Sequence, residues 1–106
     1  MRQAFERRRD LIVSLAKEIP GLEVNKPEGA CYLFPKCSSF FGKTDGQRTI
    51  NNSTDFAMYL LEVGHVATVG GDAFGDPDCF RMSYATSDDN IKEAMSRIKN
   101  ALSLLK

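Results

Sequence analysis

Apolar residues recur at helical spacing in three stretches of the chain and at every second position in a fourth. In the segment from Gln3 to Ile19, Leu11, Ile12, Leu15, Ala16 and Ile19 form one stripe with arginines and Lys17 around the rest of the turn, which predicts an amphipathic helix. Pro20-Gly21 stops it, because proline has no amide hydrogen and glycine accepts the left-handed cap conformation. A second stripe, Phe56, Leu60 and Val63, runs up to Gly64 behind a cap at Asn52 or Ser53, with Asp55 in the first turn. A third, Ile91, Met95, Ile98, Leu102 and Leu105, follows a cap at Thr86 or Ser87, and Asp88 and Asp89 complement its positive end.

Between the helices lie shorter runs with strand character. Leu22 to Asn25 reads as a short strand, Lys26-Pro27-Glu28-Gly29 as a turn, and Ala30-Cys31-Tyr32-Leu33-Phe34 as a buried strand. Val66 to Val69 is a third strand, and Gly70 to Pro77 is a turn-rich excursion into a fourth, Cys79 to Ala85. There Phe80, Met82 and Tyr84 alternate with Arg81, Ser83 and Ala85, so one face is bulky and apolar while the other carries a lone guanidinium among small side chains. Lys36 to Asn51 is a long polar connection of the kind that is either mobile or functional, with an exposed-looking pair, Phe40 and Phe41. The order is helix, strand, strand, helix, strand, strand, helix. Short connections point to an α/β (α+β) two-layer sandwich, its sheet mostly antiparallel and its helices on one face.

At 106 residues, with 42% hydrophobic and 26% charged content, residues 1–106 suffice for one core and one domain. Basic and acidic residues balance at 14 each, so there is no net field to attract nucleic acid or an anionic membrane, and neither is expected as a partner. Arg7, Arg8 and Arg9, bracketed by Glu6 and Asp10, read as a solvated helix face. Cys31, Cys37 and Cys79 form an odd set without a C-x-x-C pair, which argues for reduced structural thiols over disulfides or zinc. With a charged N-terminus and no apolar run of membrane length, a cytoplasmic protein is expected.

Most apparent motifs dissolve on inspection. Gly42-Lys43-Thr44 lacks the upstream glycine of a phosphate loop, and Gly70 to Gly75 has Asp72 where a dinucleotide fingerprint needs glycine. His65 is the only histidine and sits at a helix-to-strand junction, where a capping or surface role suffices. No carboxylate pair is spaced for acid-base work, so no catalytic residue and no metal site is assigned. Arg81 is different. A guanidinium in mid-strand must be solvated or find a partner. Periodicity favours the plainer reading, an exposed arginine paired with a nearby acid; the other is a planar fork held ready for a ligand carboxylate.

Phe80-Arg81-Met82-Ser83-Tyr84-Ala85-Thr86-Ser87 resembles the C-terminal signature strand of the class I/II aminotransferases, fold-type I enzymes dependent on pyridoxal phosphate. Arg8-Arg9-Asp10, the run from Pro20-Gly21 through Pro27-Glu28-Gly29-Ala30-Cys31-Tyr32-Leu33-Phe34, and Val66 to Gly75 resemble three further family segments in the right order. Two positions depart from the family pattern: Gly70 stands where proline is usual, which should loosen that bend, and Cys31 replaces a bulkier residue.

The resemblance implies that the chain is the C-terminal small domain of an aspartate aminotransferase-like enzyme, transferring an amino group between an amino acid and a 2-oxo acid. Arg81 would grip the substrate α-carboxylate, and Cys31 would form a wall of the pocket. No lysine has the family's Ser-x-Ser-Lys type context, so pyridoxal phosphate would belong to the full-length enzyme and a large domain outside this chain. The chain alone would be inactive, would bind no cofactor and would be monomeric, whereas the whole enzyme would be a homodimer. The alternative is a freestanding α/β module that binds a carboxylate or serves regulation.

Overall fold

The computed structural model describes residues 2–24 and 31–106. Its elements are α1 (Arg2–Lys17), β1 (Tyr32–Leu33), α2 (Ser53–Glu62), β2 (Val69–Gly70), β3 (Phe80–Ser83) and α3 (Asp88–Leu102). The two-layer α/β reading holds, with a wholly antiparallel three-stranded sheet in the order β1-β3-β2.

The central strand is β3, which pairs Met82 and Ser83 with Leu33 and Tyr32 on one side, and Arg81 and Phe80 with Val69 and Gly70 on the other. Its ladder with β1 continues beyond the regular strands in one register. The Tyr84 amide donates to the Cys31 carbonyl at 3.0 Å, Phe80 to Pro35 at 3.1 Å and Cys37 to Asp78 at 2.8 Å. Burial alternates as the side-chain pattern requires: Phe80, Met82 and Tyr84 are buried, while Ser83 and Ala85 are exposed and Arg81 is half-buried. The buried face meets the helices in one core that joins Ile12 and Ala16 of α1, Phe56 and Leu60 of α2, and Ile91, Met95 and Ile98 of α3. The opposite face is open, carrying Tyr32, Phe34 and Val69.

Two expected strands are shorter than the sequence pattern suggests. Among the described residues, Leu22 to Asn25 is reduced to one bridge between Glu23 and Lys36. Asn25, the Lys26 to Gly29 turn and Ala30 lie outside the described residues. Val66 to Val69 pairs only from Val69 onward, because the Val66 amide donates to the Leu60 carbonyl at 3.1 Å and so belongs to the closure of α2. His65 is exposed and takes a left-handed conformation in that closure (φ 57°), in keeping with the expected capping or surface role. Asn52 and Ser87 are the caps, accepting from Asp55 at 2.8 Å and Asn90 at 3.2 Å. The helix α1 ends at Lys17, before Pro20, since the amides of Glu18 and Ile19 already turn to carbonyls three residues back.

The connection from Lys36 to Asn51 is neither loose nor exposed at its aromatics. Phe40 is buried, its ring 5.7 Å from that of Phe56, and Phe41 is half-buried against the core. Asp45 accepts the amides of Arg48 and Gln47 at 2.8 and 2.9 Å, and these bonds hold its carboxyl below the usual carboxylate range. Thr44 and Lys106 exchange backbone bonds of 3.0 and 2.9 Å, and Arg48 reaches Glu62 of α2 at 3.0 Å. The polar composition is thus used locally, in side-chain bonds to backbone that satisfy the loop.

The arginine run also differs from a uniformly solvated face. Arg7 is 63% exposed, but Arg8 and Arg9 are 29% and 22% exposed. Arg7 and Arg8 lie 3.3 and 3.6 Å from Asp88, which starts α3, so the run joins the body of α1 to the first turn of α3. These pairs are partly solvated and each contributes at most about 1 kcal/mol.

Candidate functional site

The open face of the sheet is organised around Arg81. Its cross-strand partner on β2 is Val69, and the register that pairs Leu33 with Met82 and Lys36 with Cys79 places Phe34 opposite it on the other side. The guanidinium carbon lies 4.5 Å from the centre of the Tyr32 ring and 5.8 Å from that of Phe74. Phe74 in turn meets Phe34 edge to face, with ring centres 5.6 Å apart. Among the described residues, no carboxylate pairs with Arg81. Its neighbours are rings, each worth about 0.5–1 kcal/mol as a cation–π contact at a partly exposed site.

Phe74 reaches this position through the bend after β2. Gly71–Phe74 form a 3-10 turn that closes on Gly75 in the left-handed conformation (φ 81°). The Asp72 amide donates to the Ser53 hydroxyl at 3.0 Å, and its carboxylate accepts from Thr54 at 3.1 Å, which ties the turn to the start of α2. Gly70 does not leave this bend loose. A β-carbon there would lie 2.6 Å from the Ser53 carbonyl oxygen, so the glycine permits a close approach to α2.

Cys31 and Arg81 are not brought together on one face. As the ladder partner of Tyr84, Cys31 shares the helix-facing side of the sheet, while Arg81 shares the open side with Tyr32. Burial first, and the nearby Cys31 second, push the Tyr84 phenol up. Neither of the other thiols is primed as a nucleophile. Cys37 is pushed up to about 12 by burial and by Cys79, and Cys79 to about 11 by burial and a hydrogen bond to Asp76. All three cysteines are free. Among the described residues, no cluster of histidine, cysteine or acidic groups could hold a metal, and no helix is long and apolar enough to cross a membrane.

Sequence reasoning singled out Arg81 but missed Tyr32 and Phe74. Tyr32 is legible once the strand register is known. Phe74 sits in a turn, where no periodic pattern points to its partner.

The family model for class I and II aminotransferases matches residues 1–98. The chain belongs to this family. Among curated proteins, it is 46% identical over its whole length to a bifunctional aspartate aminotransferase and glutamate/aspartate-prephenate aminotransferase of Petunia hybrida, and covers 22% of that protein. It is 49% identical to an aspartate aminotransferase of Rhizobium meliloti, with 93% of this chain and 24% of that one aligned. The crystal structure of the aspartate aminotransferase from Rhizobium meliloti superposes with a TM-score of 0.94 at 48% identity, over 98% of this chain and 26% of the other. An alanine aminotransferase from Pyrococcus furiosus gives a TM-score of 0.80 at 31% identity, over 93% of this chain and 24% of the other. The chain therefore spans about a quarter of the length of the curated relatives it matches.

Class I and II aminotransferases of this type imply pyridoxal phosphate, and the residues around Arg81 do not fit that group. The cofactor needs an amine for its carbonyl and an acid for its pyridine nitrogen. Tyr32, Phe34, Val69, Phe74 and Ser83 supply neither, and Lys36, beyond the end of β1, lies 3.6 Å from Glu23.

Proposed function

We propose that this chain is the C-terminal small domain of an aspartate-type aminotransferase, and that Arg81 holds the α-carboxylate of the amino-acid or 2-oxo-acid substrate. The observation that carries this reading is a guanidinium on the central strand, on the open face, beside aromatic rings and with no acid among the described residues. The names of the relatives support the aspartate type, and the family supports pyridoxal phosphate as the electron sink, held by the rest of the polypeptide.

The physical role follows from geometry. A carboxylate is planar and a guanidinium offers a matching planar fork, so two parallel bonds fix the direction from carboxylate to α-carbon as well as the distance. The strand pairs on both sides, which holds the Arg81 backbone more firmly than a loop would. Binding energy from the non-reacting carboxylate then orients the bond that must break. Tyr32, Phe34 and Phe74 beside the fork exclude water as the rest of the enzyme closes over this face, which strengthens the ion pair. In this reading the whole enzyme is a homodimer and the isolated chain an inactive monomer.

The test joins this chain to a large domain of the family and measures amino transfer from aspartate. Activity should appear with the joined protein and be absent from the chain alone. A stoichiometric cofactor complex of the chain alone, or transfer by it, would contradict the proposal.

A further inference from the structure

We propose that Tyr32 is a positioning residue for substrate binding, its ring fixing the plane of the Arg81 guanidinium so that the in-plane N–H groups meet the carboxylate. This rests on the reading of Arg81 as the carboxylate grip. The guanidinium carbon lies 4.5 Å from the centre of the Tyr32 ring, nearer than the 5.8 Å to Phe74. All five donors of a guanidinium lie in its plane, so a ring over the face restrains the group and consumes no donor. An acid partner would also restrain it, but would occupy the donors and cancel the charge. An aromatic restraint leaves both for the ligand.

The ring is itself well placed to act as a fixed reference. Tyr32 is backbone-paired with Ser83, two residues along from Arg81 on the same strand, and it is 40% exposed, so its side chain can change without opening the core. An arginine side chain has large rotamer freedom, and without the ring the fork must be ordered by the substrate at each binding event. The hydroxyl of Tyr32 has no part in this role.

The experiment uses the full-length enzyme and two readouts: calorimetric binding of succinate, an unreactive dicarboxylate, and kcat and KM for aspartate. Tyr32→Leu should weaken succinate binding roughly fivefold, with KM rising at least as much as kcat falls, while Tyr32→Phe stays within about twofold of the parent. The thermal midpoint should be unchanged in Tyr32→Phe and fall by no more than about 2 °C in Tyr32→Leu. In an Arg81→Lys background Tyr32→Leu should add little, because an ammonium has no plane to hold. Parental binding in Tyr32→Leu with weakened binding in Arg81→Leu would overturn the positioning role and leave the carboxylate reading standing. Parental binding in Arg81→Leu would remove that reading itself. An equal loss in Tyr32→Phe, or an equal effect of Tyr32→Leu in both backgrounds, would also overturn the proposal.

Discussion

The phenol of Tyr59 in α2 donates a 2.6 Å hydrogen bond to the carbonyl of Ala101 near the end of α3. Tyr59 is 1% exposed, and the bond satisfies both its hydroxyl and one of the last carbonyls of α3. Tyr59→Phe keeps the ring and removes this bond, leaving the Ala101 carbonyl with the 3.3 Å bond from the Leu104 amide. It should cost about 0.5–1.5 kcal/mol, read as a lower midpoint at unchanged m-value in urea unfolding of the chain. An unchanged midpoint would show that water replaces the bond.

Gly70 reverses the usual sign of a glycine substitution. Its φ of −64° and ψ of 142° suit alanine or proline, and at such a site either commonly stabilises by about 0.4–1 kcal/mol through the unfolded state. Here a β-carbon would meet backbone atoms, 2.6 Å from the Ser53 oxygen and 2.9 Å from the Thr54 nitrogen. Gly70→Ala and Gly70→Pro should therefore both destabilise by about 1–3 kcal/mol in urea unfolding, even though the family pattern has proline at this place.

Stability should fall steeply in alkali. The folded-state value of Cys37 rises from an ordinary 9.0 to about 12 and that of Cys79 to about 11, and burial raises Tyr59 and Tyr84 as well. Each group binds its proton more tightly when folded, so its contribution is complete below the unfolded value. It is lost as pH climbs from about 9 toward the folded value, where the unfolded chain gives up protons first. Urea unfolding in reducing buffer at rising pH should show this decline, and Cys37→Ala should make it shallower. An identical slope in the variant would mean that Cys37 does not titrate between the two states.

The three helices and the alternation of β3 were legible because both periodicities are local and both are obeyed: Ile91, Met95, Ile98, Leu102 and Leu105 are all buried, as are Phe80, Met82 and Tyr84. The weak strands were over-read because pairing is not local. Val66 looks like strand but spends its amide on Leu60. Phe40 was misjudged for a related reason, since a polar loop that folds back on itself can bury one aromatic among charged neighbours. At the site, Arg81 stood out as a charge in mid-strand, whereas Phe74 was silent. Its place over the guanidinium is set by the Gly71–Phe74 turn and the anchoring of Asp72 on Ser53. Cys31, assigned to the pocket by resemblance, faces Tyr84 by strand parity.

The most direct test of a carboxylate grip at Arg81 removes the carboxylate as well as the arginine. In the full-length enzyme, kcat/KM for an amino acid should be compared with that for the amine lacking the α-carboxylate, in the parent and in Arg81→Leu. The expected result is a preference for the amino acid that shrinks roughly a hundredfold or more in the variant, mostly through loss of activity on the amino acid. An undiminished preference in Arg81→Leu, or equal losses on both substrates, would contradict the account.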